Sequence, residues 1–400
     1  MPPKERSDMD IGDFRKFSEQ NFSLSSSIGQ ITEHRKRPQI PLSTVLHCVL
    51  EMVALGQRSL LEVDQHARSP AAKAWHGVKK RAMVVSDSTL ERVVGQTDLA
   101  EVRTVLHKSV QAIDSQGVLS VRLGSGRKIR AGVVDGSHFG AFPGCLFVVA
   151  GMVAAPVDME MYSKGKELNA SRQVLSRISG TFGENFVDMV IGDGLYISSD
   201  HIIQCKQGLR CDALVKTTEK GLCLIQDAEG IFGMAGDLAD GIECVEGLDS
   251  ERGVRYKVMA AGGFQWDDLQ YQFKVARVQE EKLKPKPGQE KYEIFWVITT
   301  DQSLSALEMR ELAHMRWQVE NNVFKRLNEL VGSKRGWIRN RQLKAVLLVL
   351  WLVGLLMFGY YLVCVGLAKL RQMYGKVRQT WKFAARVLLG SIERMYPAKG

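Results

Sequence analysis

Arg310-Glu-Leu-Ala-His-Met-Arg316-Trp-Gln-Val-Glu320-Asn-Asn-Val-Phe-Lys325-Arg326-Leu-Asn328 is the stretch on which the reading of the chain turns. Leu312, Met315, Val319, Val323, Leu327 and Leu330 recur every three or four residues, which predicts one long amphipathic helix. Ser305-x-x-Glu308 forms a capping box at its start, and Gly332-Ser333 ends it. Arg316 and Glu320 lie four apart, beside the apolar stripe, and Asn321, Asn322, Lys325 and Arg326 follow. Alone, the stretch is most simply read as an ordinary amphipathic helix with a surface ion pair.

Two other acids change that balance. Asp135 closes the apolar run in Arg130-Ala-Gly-Val-Val-Asp-Gly-Ser-His138, and Asp193 closes the run in Phe186-Val-Asp-Met-Val-Ile-Gly-Asp-Gly194. Both runs read as buried strands with a carboxylate at the end. Three carboxylates gathered at one point repel each other, and hard cations such as Mg²⁺ relieve the repulsion. Two such ions activate an attacking oxygen and stabilise a leaving one in phosphoryl transfer.

Asp-Gly-Ser at one strand end, Gly-Asp-Gly-x-Tyr at a second, and Arg-Trp-x-Val-Glu-Asn-x-x-Phe-Lys on a helix resemble the DDE transposases of bacterial insertion sequences, over roughly residues 40 to 365. The nearest group is the cut-and-paste type with a Tyr-Arg-Glu-Lys signature. The resemblance implies an α/β fold with an RNase H-like catalytic core, in which Asp135, Asp193 and Glu320 bind two Mg²⁺ ions (Mn²⁺ can substitute) and Arg316 is the signature arginine. The signature tyrosine and lysine fall on Ala313 and Leu327, so the chain departs from the pattern there; Lys325 and Arg326 are the nearest basic side chains. It further implies a homodimer that pairs two ends of double-stranded DNA.

The 400 residues, 45% of them hydrophobic, allow two or three domains with sizeable cores. The net charge of +10 suits a polyanionic partner. From Asn321 onward there are 15 Lys and Arg against Glu329 and Glu393, so the basic excess lies in that part of the chain. Seven cysteines without a Cys-x-x-Cys spacing read as reduced thiols, and the polar N-terminus does not read as a secretory signal. Both point to a cytoplasmic, nucleoid-associated protein.

In chain order, residues 1–37 read as a flexible basic and polar arm or as short helices. Residues 38–117 read as a helical DNA-binding domain, where Ser86-Asp-Ser-Thr89 starts a short helix carrying Arg92, as in helix-turn-helix readers. Residues 118–212 alternate strands and helices, as the first part of an α/β core does. Glu167, which follows Lys164-Gly-Lys166, is a candidate to support the acids from behind, although a solvated helix-start glutamate is the plainer account. Residues 213–300 read as an inserted antiparallel β-subdomain, with Trp266 and Trp296 as candidates to stack on a DNA base, although packing inside the sheet is the plainer account of each. Residues 301–368 hold the glutamate helix and a closing apolar helix, and 369–400 a basic helical tail. Lys334, Arg335, Arg339, Arg341 and Lys344, with Trp337 among them, suit a DNA backbone track. The basic loop Lys282-Leu-Lys-Pro-Lys-Pro-Gly288 is a second candidate phosphate contact.

The 24 uncharged residues from Ala345 to Ala368 are long enough to span a bilayer. They stand alone and have basic residues on both sides. The expected reading is therefore a buried helix rather than a membrane anchor.

The expected activity is a transposase that cuts the ends of an insertion sequence and joins the freed 3′ hydroxyls to target DNA. A metal-dependent nuclease without strand transfer, and a non-catalytic DNA-binding protein of transposase descent, are the alternatives.

Overall fold

The computed structural model describes residues 8–71, 85–235, 241–266, 269–375 and 380–395. The expected helix from Ala71 to Lys79 lies almost wholly outside them. A ribbon of β1 (Val121–Arg122) and β2 (Lys128–Ile129) precedes a nine-stranded sheet. Its strands are β3 (Ala131–Phe139), β4 (Phe142–Val149), β5 (Ala155–Met161), β6 (Met189–Asp193), β7 (Asp212–Thr217), β8 (Ile242–Asp249), β9 (Val254–Trp266), β10 (Leu269–Lys282) and β11 (Tyr292–Thr299). They lie in the order β5-β4-β3-β6-β7-β11-β10-β9-β8. Among the described strands of this sheet, the β3–β6 and β6–β7 pairings are parallel and the others are antiparallel. The fold is mixed α/β.

The parallel centre follows from composition. Ala131 to Val134, Met189 to Gly192 and Ala213 to Thr217 are buried without alternation, as strands covered on both faces must be. The helix Glu167–Phe182 packs on β4 and β5. The helix Ala306–Val319 lies across β3, β6 and the strands beyond.

Three expectations are corrected. The segment 213–300 is not a subdomain of its own. Asp212–Thr217 is a parallel strand of the central sheet, and β11, β10, β9 and β8 extend that sheet antiparallel to its edge. Alternation identified most of the strands but carries no information on which sheet they join, and the helix Cys223–Ala235 interrupts them. Next, the N-terminal segment is not a flexible arm where it is described, but the short helices that were the other expectation. Helix Ile11–Phe22 buries Ile11, Phe14 and Phe22, and the Phe14 ring meets Tyr361 edge-on at 5.5 Å. Finally, the apolar helix Arg341–Tyr361 packs chiefly against Leu42–Leu55 and Leu99–Asp114, and meets the sheet mainly at β5. It closes the helical bundle more than the sheet.

That helix, continued to Tyr374, is the one described helix long and apolar enough to cross a membrane, and 94% of its most apolar window is buried inside the protein. The C-terminal helix Trp381–Met395 also folds back, burying Ala384, Leu388 and Ile392, with Trp381 edge-on to Phe358 at 5.5 Å.

Candidate active site

β3 and β6 are parallel, with Val133 opposite Ile191. Two residues on, Asp135 and Asp193 leave adjacent strands on the same side of the sheet, since paired residues of parallel strands share a face. Asp193 ends β6 as expected. Asp135 does not end β3, because β3 runs on to Phe139 in its hairpin with β4, opposite Leu146. The apolar run stops at Asp135, while the strand continues past it.

Each carboxylate has a defined setting. Asp135 Oδ1 accepts the Gly136 N–H at 2.9 Å. Asp193 Oδ1 accepts the Leu195 N–H at 3.0 Å, capping the turn Gly194–Tyr196. Burial pushes the Asp135 carboxyl up to about 7; Arg316 pulls it down, and the charges of Asp193 and Glu167 push it further up.

Arg316 Nη1 reaches Asp135 Oδ2 at 3.2 Å. The helix that delivers it is fixed at both ends. Ser305 Oγ accepts the Glu308 N–H at 3.2 Å, and Glu308 accepts the Ser305 N–H at 2.9 Å, the expected capping box. Buried Arg310 donates to Glu280 at 2.7 Å and to Asp249 at 3.1 Å, and His314 Nε2 lies 2.7 Å from the same Glu280 oxygen. These bonds tie the helix to β10 and β8. The predicted stripe from Leu312 to Leu330 is buried throughout.

The predicted single helix is interrupted at Glu320, one of the candidate residues. Ala306–Val319 is α-helical, Glu320–Phe324 is a π turn, and Lys325–Val331 resumes the α-helix, ending at Gly332 with φ 63°. π turns within α-helices recur at functional sites. Glu320 opens this turn with an exposed side chain, and Arg316 pairs with Asp135 rather than with it.

Among the described residues, no three His, Cys, Asp or Glu side chains stand close enough to share a metal ion. The structure thus brings Asp135 and Asp193 together, and Glu320 does not join them. The donor chemistry of the pair fits Mg²⁺, which takes a few carboxylate oxygens and keeps its waters. Burial is the main cause of the upward shift of Asp135, and Arg316 offsets part of it; the smaller push from Asp193 is the repulsion a cation between the two carboxylates would relieve.

The DNA-contact residues divide. Lys325, Lys334, Arg335, Arg339 and Arg341 are exposed, and Trp337 beside them is 37% exposed. Arg341 nevertheless donates to the Met161 carbonyl at 2.7 Å. Lys344 is corrected outright. It is 1% exposed, donates to the Ser333 carbonyl at 2.7 Å and sits 5.3 Å from the Trp351 ring centre. Arg326 is half-buried with its guanidinium 4.0 Å from the Trp381 ring centre, turned toward the C-terminal helix. Trp296 is also corrected: it is buried in the sheet core, stacked on Phe232 at 6.2 Å. Trp266 is half-buried against Phe273, 6.0 Å between ring centres.

Arg92 is exposed and lines a cleft of about 620 Å³ with Arg35, Lys36, Arg37 and Arg68. Arg35 is paired with Glu33 and Arg68 with Asp64. The adjacent Arg35-Lys-Arg37 triplet was the available sequence signal for this cleft. A second cleft, of about 860 Å³, brings Lys282, Lys284, Lys286 and Arg252 opposite Trp317, Asn321 and Asn322, beside the Glu320 turn. Its basic wall is the predicted proline-broken loop.

The plainer account of Glu167, a solvated helix-start residue, is corrected. Its carboxylate instead accepts the Tyr162 and Tyr196 hydroxyls at 2.6 and 2.9 Å. Tyr196 of Gly-Asp-Gly-x-Tyr was the available signal. Compared with known proteins, the chain matches no protein-family model and no curated sequence.

Proposed function

We propose that the protein is a DNA transposase of the DDE type, built on an RNase H-like core. The observation that carries this reading is the meeting of Asp135, Asp193 and Arg316. Two carboxylates leave neighbouring parallel strands, and a guanidinium from a helix laid across them reaches the first. Three consecutive antiparallel strands followed by two parallel ones, β3 to β7, are the sheet such a core calls for.

Bound Mg²⁺, held by Asp135 and Asp193, would activate the attacking oxygen and stabilise the leaving one. The chain's own residues do the rest. Arg316 balances the charge of Asp135 and offers a guanidinium to a phosphate. Exposed Lys334, Arg335 and Arg339 hold the DNA backbone in register, and Arg92 with its basic neighbours does so on the helical bundle. Water first cuts the strand at the element's end, leaving a 3′ hydroxyl. That hydroxyl then attacks a target phosphodiester in line, and the target's own 3′ oxygen leaves. The protein works in the cytoplasm on the nucleoid, as a homodimer across two DNA ends.

The test is cleavage and joining of a supercoiled plasmid carrying the DNA that flanks the protein's own coding sequence, in Mg²⁺, comparing wild type with Asp193→Asn. Cut and joined products from wild type, absent from the variant, are expected. Cutting without joining favours a nuclease. DNA binding with no cutting by either protein favours a non-catalytic protein.

A further inference from the structure

Glu167 opens the helix Glu167–Phe182, where a carboxylate ordinarily faces water beside the free backbone N–H groups. Here it turns into the sheet. Tyr162 donates to its Oε2 at 2.6 Å and Tyr196 to its Oε1 at 2.9 Å, so each oxygen has a hydroxyl donor. Tyr162 follows the end of β5, and Tyr196 closes the turn that Asp193 caps. Tyr196 is fully buried.

The glycines beside the two aspartates make room for this arrangement. A Cβ at position 136, next to Asp135, would overlap the Glu167 carboxyl group. A Cβ at position 192, next to Asp193, would fall 2.8 Å from the Tyr196 ring. Glu167 therefore touches the first aspartate motif through Gly136 and the second through Tyr196. A bridge that served packing alone would be made as well by apolar groups, without a charge to desolvate.

We propose that Glu167 is a positioning residue of the candidate active site, holding the Asp135 and Asp193 motifs at one spacing and adding a third negative charge that draws cations to them. The proposal rests on the phosphoryl-transfer reading of the site, and its first readout does not depend on DNA.

The experiment compares wild type, Glu167→Gln and Glu167→Asp by Mn²⁺ titration, following the electron-spin resonance signal of the free ion. Cleavage of the flanking DNA in Mg²⁺ is measured alongside. Glu167→Gln keeps the shape but loses the charge, and one tyrosine hydroxyl loses its acceptor. Removing an outer partner of metal ligands costs about 10–100-fold in affinity or rate. Glu167→Gln should therefore bind Mn²⁺ about tenfold more weakly and cut about 10–100-fold more slowly, with its thermal midpoint near that of wild type. Glu167→Asp should recover part of the Mn²⁺ affinity. If Glu167→Gln does not fold, Tyr196→Phe takes its place, with a loss of about 3–10-fold on both readouts.

Unchanged Mn²⁺ affinity in the folded variant overturns the proposal, as does a wild type that binds no Mn²⁺. A wild type that binds Mn²⁺ but cuts no DNA defeats the transposase reading instead. The titration then decides Glu167 alone, with weaker binding in Glu167→Gln supporting it.

Discussion

Arg316 Nη1 lies 3.2 Å from Asp135 Oδ2, joining a helix 181 residues further along the chain to the centre of the sheet. The pair is partly buried, and the guanidinium is the charge that makes an ionised Asp135 tolerable there. Burial still dominates, and the carboxyl stands at about 7 against its ordinary 3.8.

That balance fixes a pH dependence. The folded protein holds the Asp135 proton more tightly than the unfolded chain, so stability falls as pH rises from about 4 to about 7. Below that window both states are protonated and the penalty is absent; above it the penalty is complete. Asp135→Asn removes the titration. Without divalent cations, the variant should be more stable than wild type at pH 8 by ~1–3 kcal/mol and equal to it near pH 4. Urea unfolding at the two pH values checks this, and an equal difference at both would refute it.

The acids were legible because each ends an apolar run, and a charge after four buried residues is hard to explain otherwise. The role of Glu167 was only half legible, because its two partners come from different elements: Tyr162 lies five residues before it, past the end of β5, and Tyr196 twenty-nine after. A helix-start glutamate has a satisfactory local explanation, and nothing local contradicts it. The π turn at Glu320 was invisible for a similar reason, since the apolar stripe keeps helical spacing on both sides of it. Sheet membership of β8 to β11 was misread because alternation reports on faces, whereas pairing is decided by tertiary neighbours.

The exposed strip after the glutamate helix should act through DNA phosphates. Lys334→Ala and Arg339→Ala should each weaken DNA binding similarly on all sequences and reduce the slope of log affinity against log salt by ~1. Fluorescence anisotropy across a salt series measures both. A variant with weaker binding but the wild-type slope would remove that residue from the backbone track.

Trp296 separates the two aromatic candidates. Its ring is 1% exposed and stacked on Phe232, and among the described residues its indole N–H has no hydrogen-bond partner. Trp296→Ala should cost ~3–5 kcal/mol of stability, as large core deletions do. DNA affinity, measured on the folded fraction at low temperature, should be unaltered. Trp266→Ala, at a half-buried ring, should cost less. A Trp296→Ala protein of wild-type stability with lost DNA affinity would restore the base-stacking role.

Lys344 gives the sharpest contrast between sequence and structure. In sequence it is the last member of a basic cluster. In the structure it points inward, bonded to the Ser333 carbonyl and lying near Trp351, while the exposed members of that cluster face solvent. Burial pulls its ammonium down to about 8 from 10.5. Between those values the unfolded chain binds more protons than the folded one, so wild-type stability gains as pH rises through about 8 to 10.5. Lys344→Met keeps the length and the apolar stem but removes the titration. Its stability relative to wild type should therefore decline across that window, while its DNA affinity and salt slope at pH 7.5 stay at wild-type values. Paired urea unfolding at pH 7 and pH 10 with anisotropy at pH 7.5 decides the matter. A salt slope reduced by ~1 in Lys344→Met would return the residue to the DNA surface.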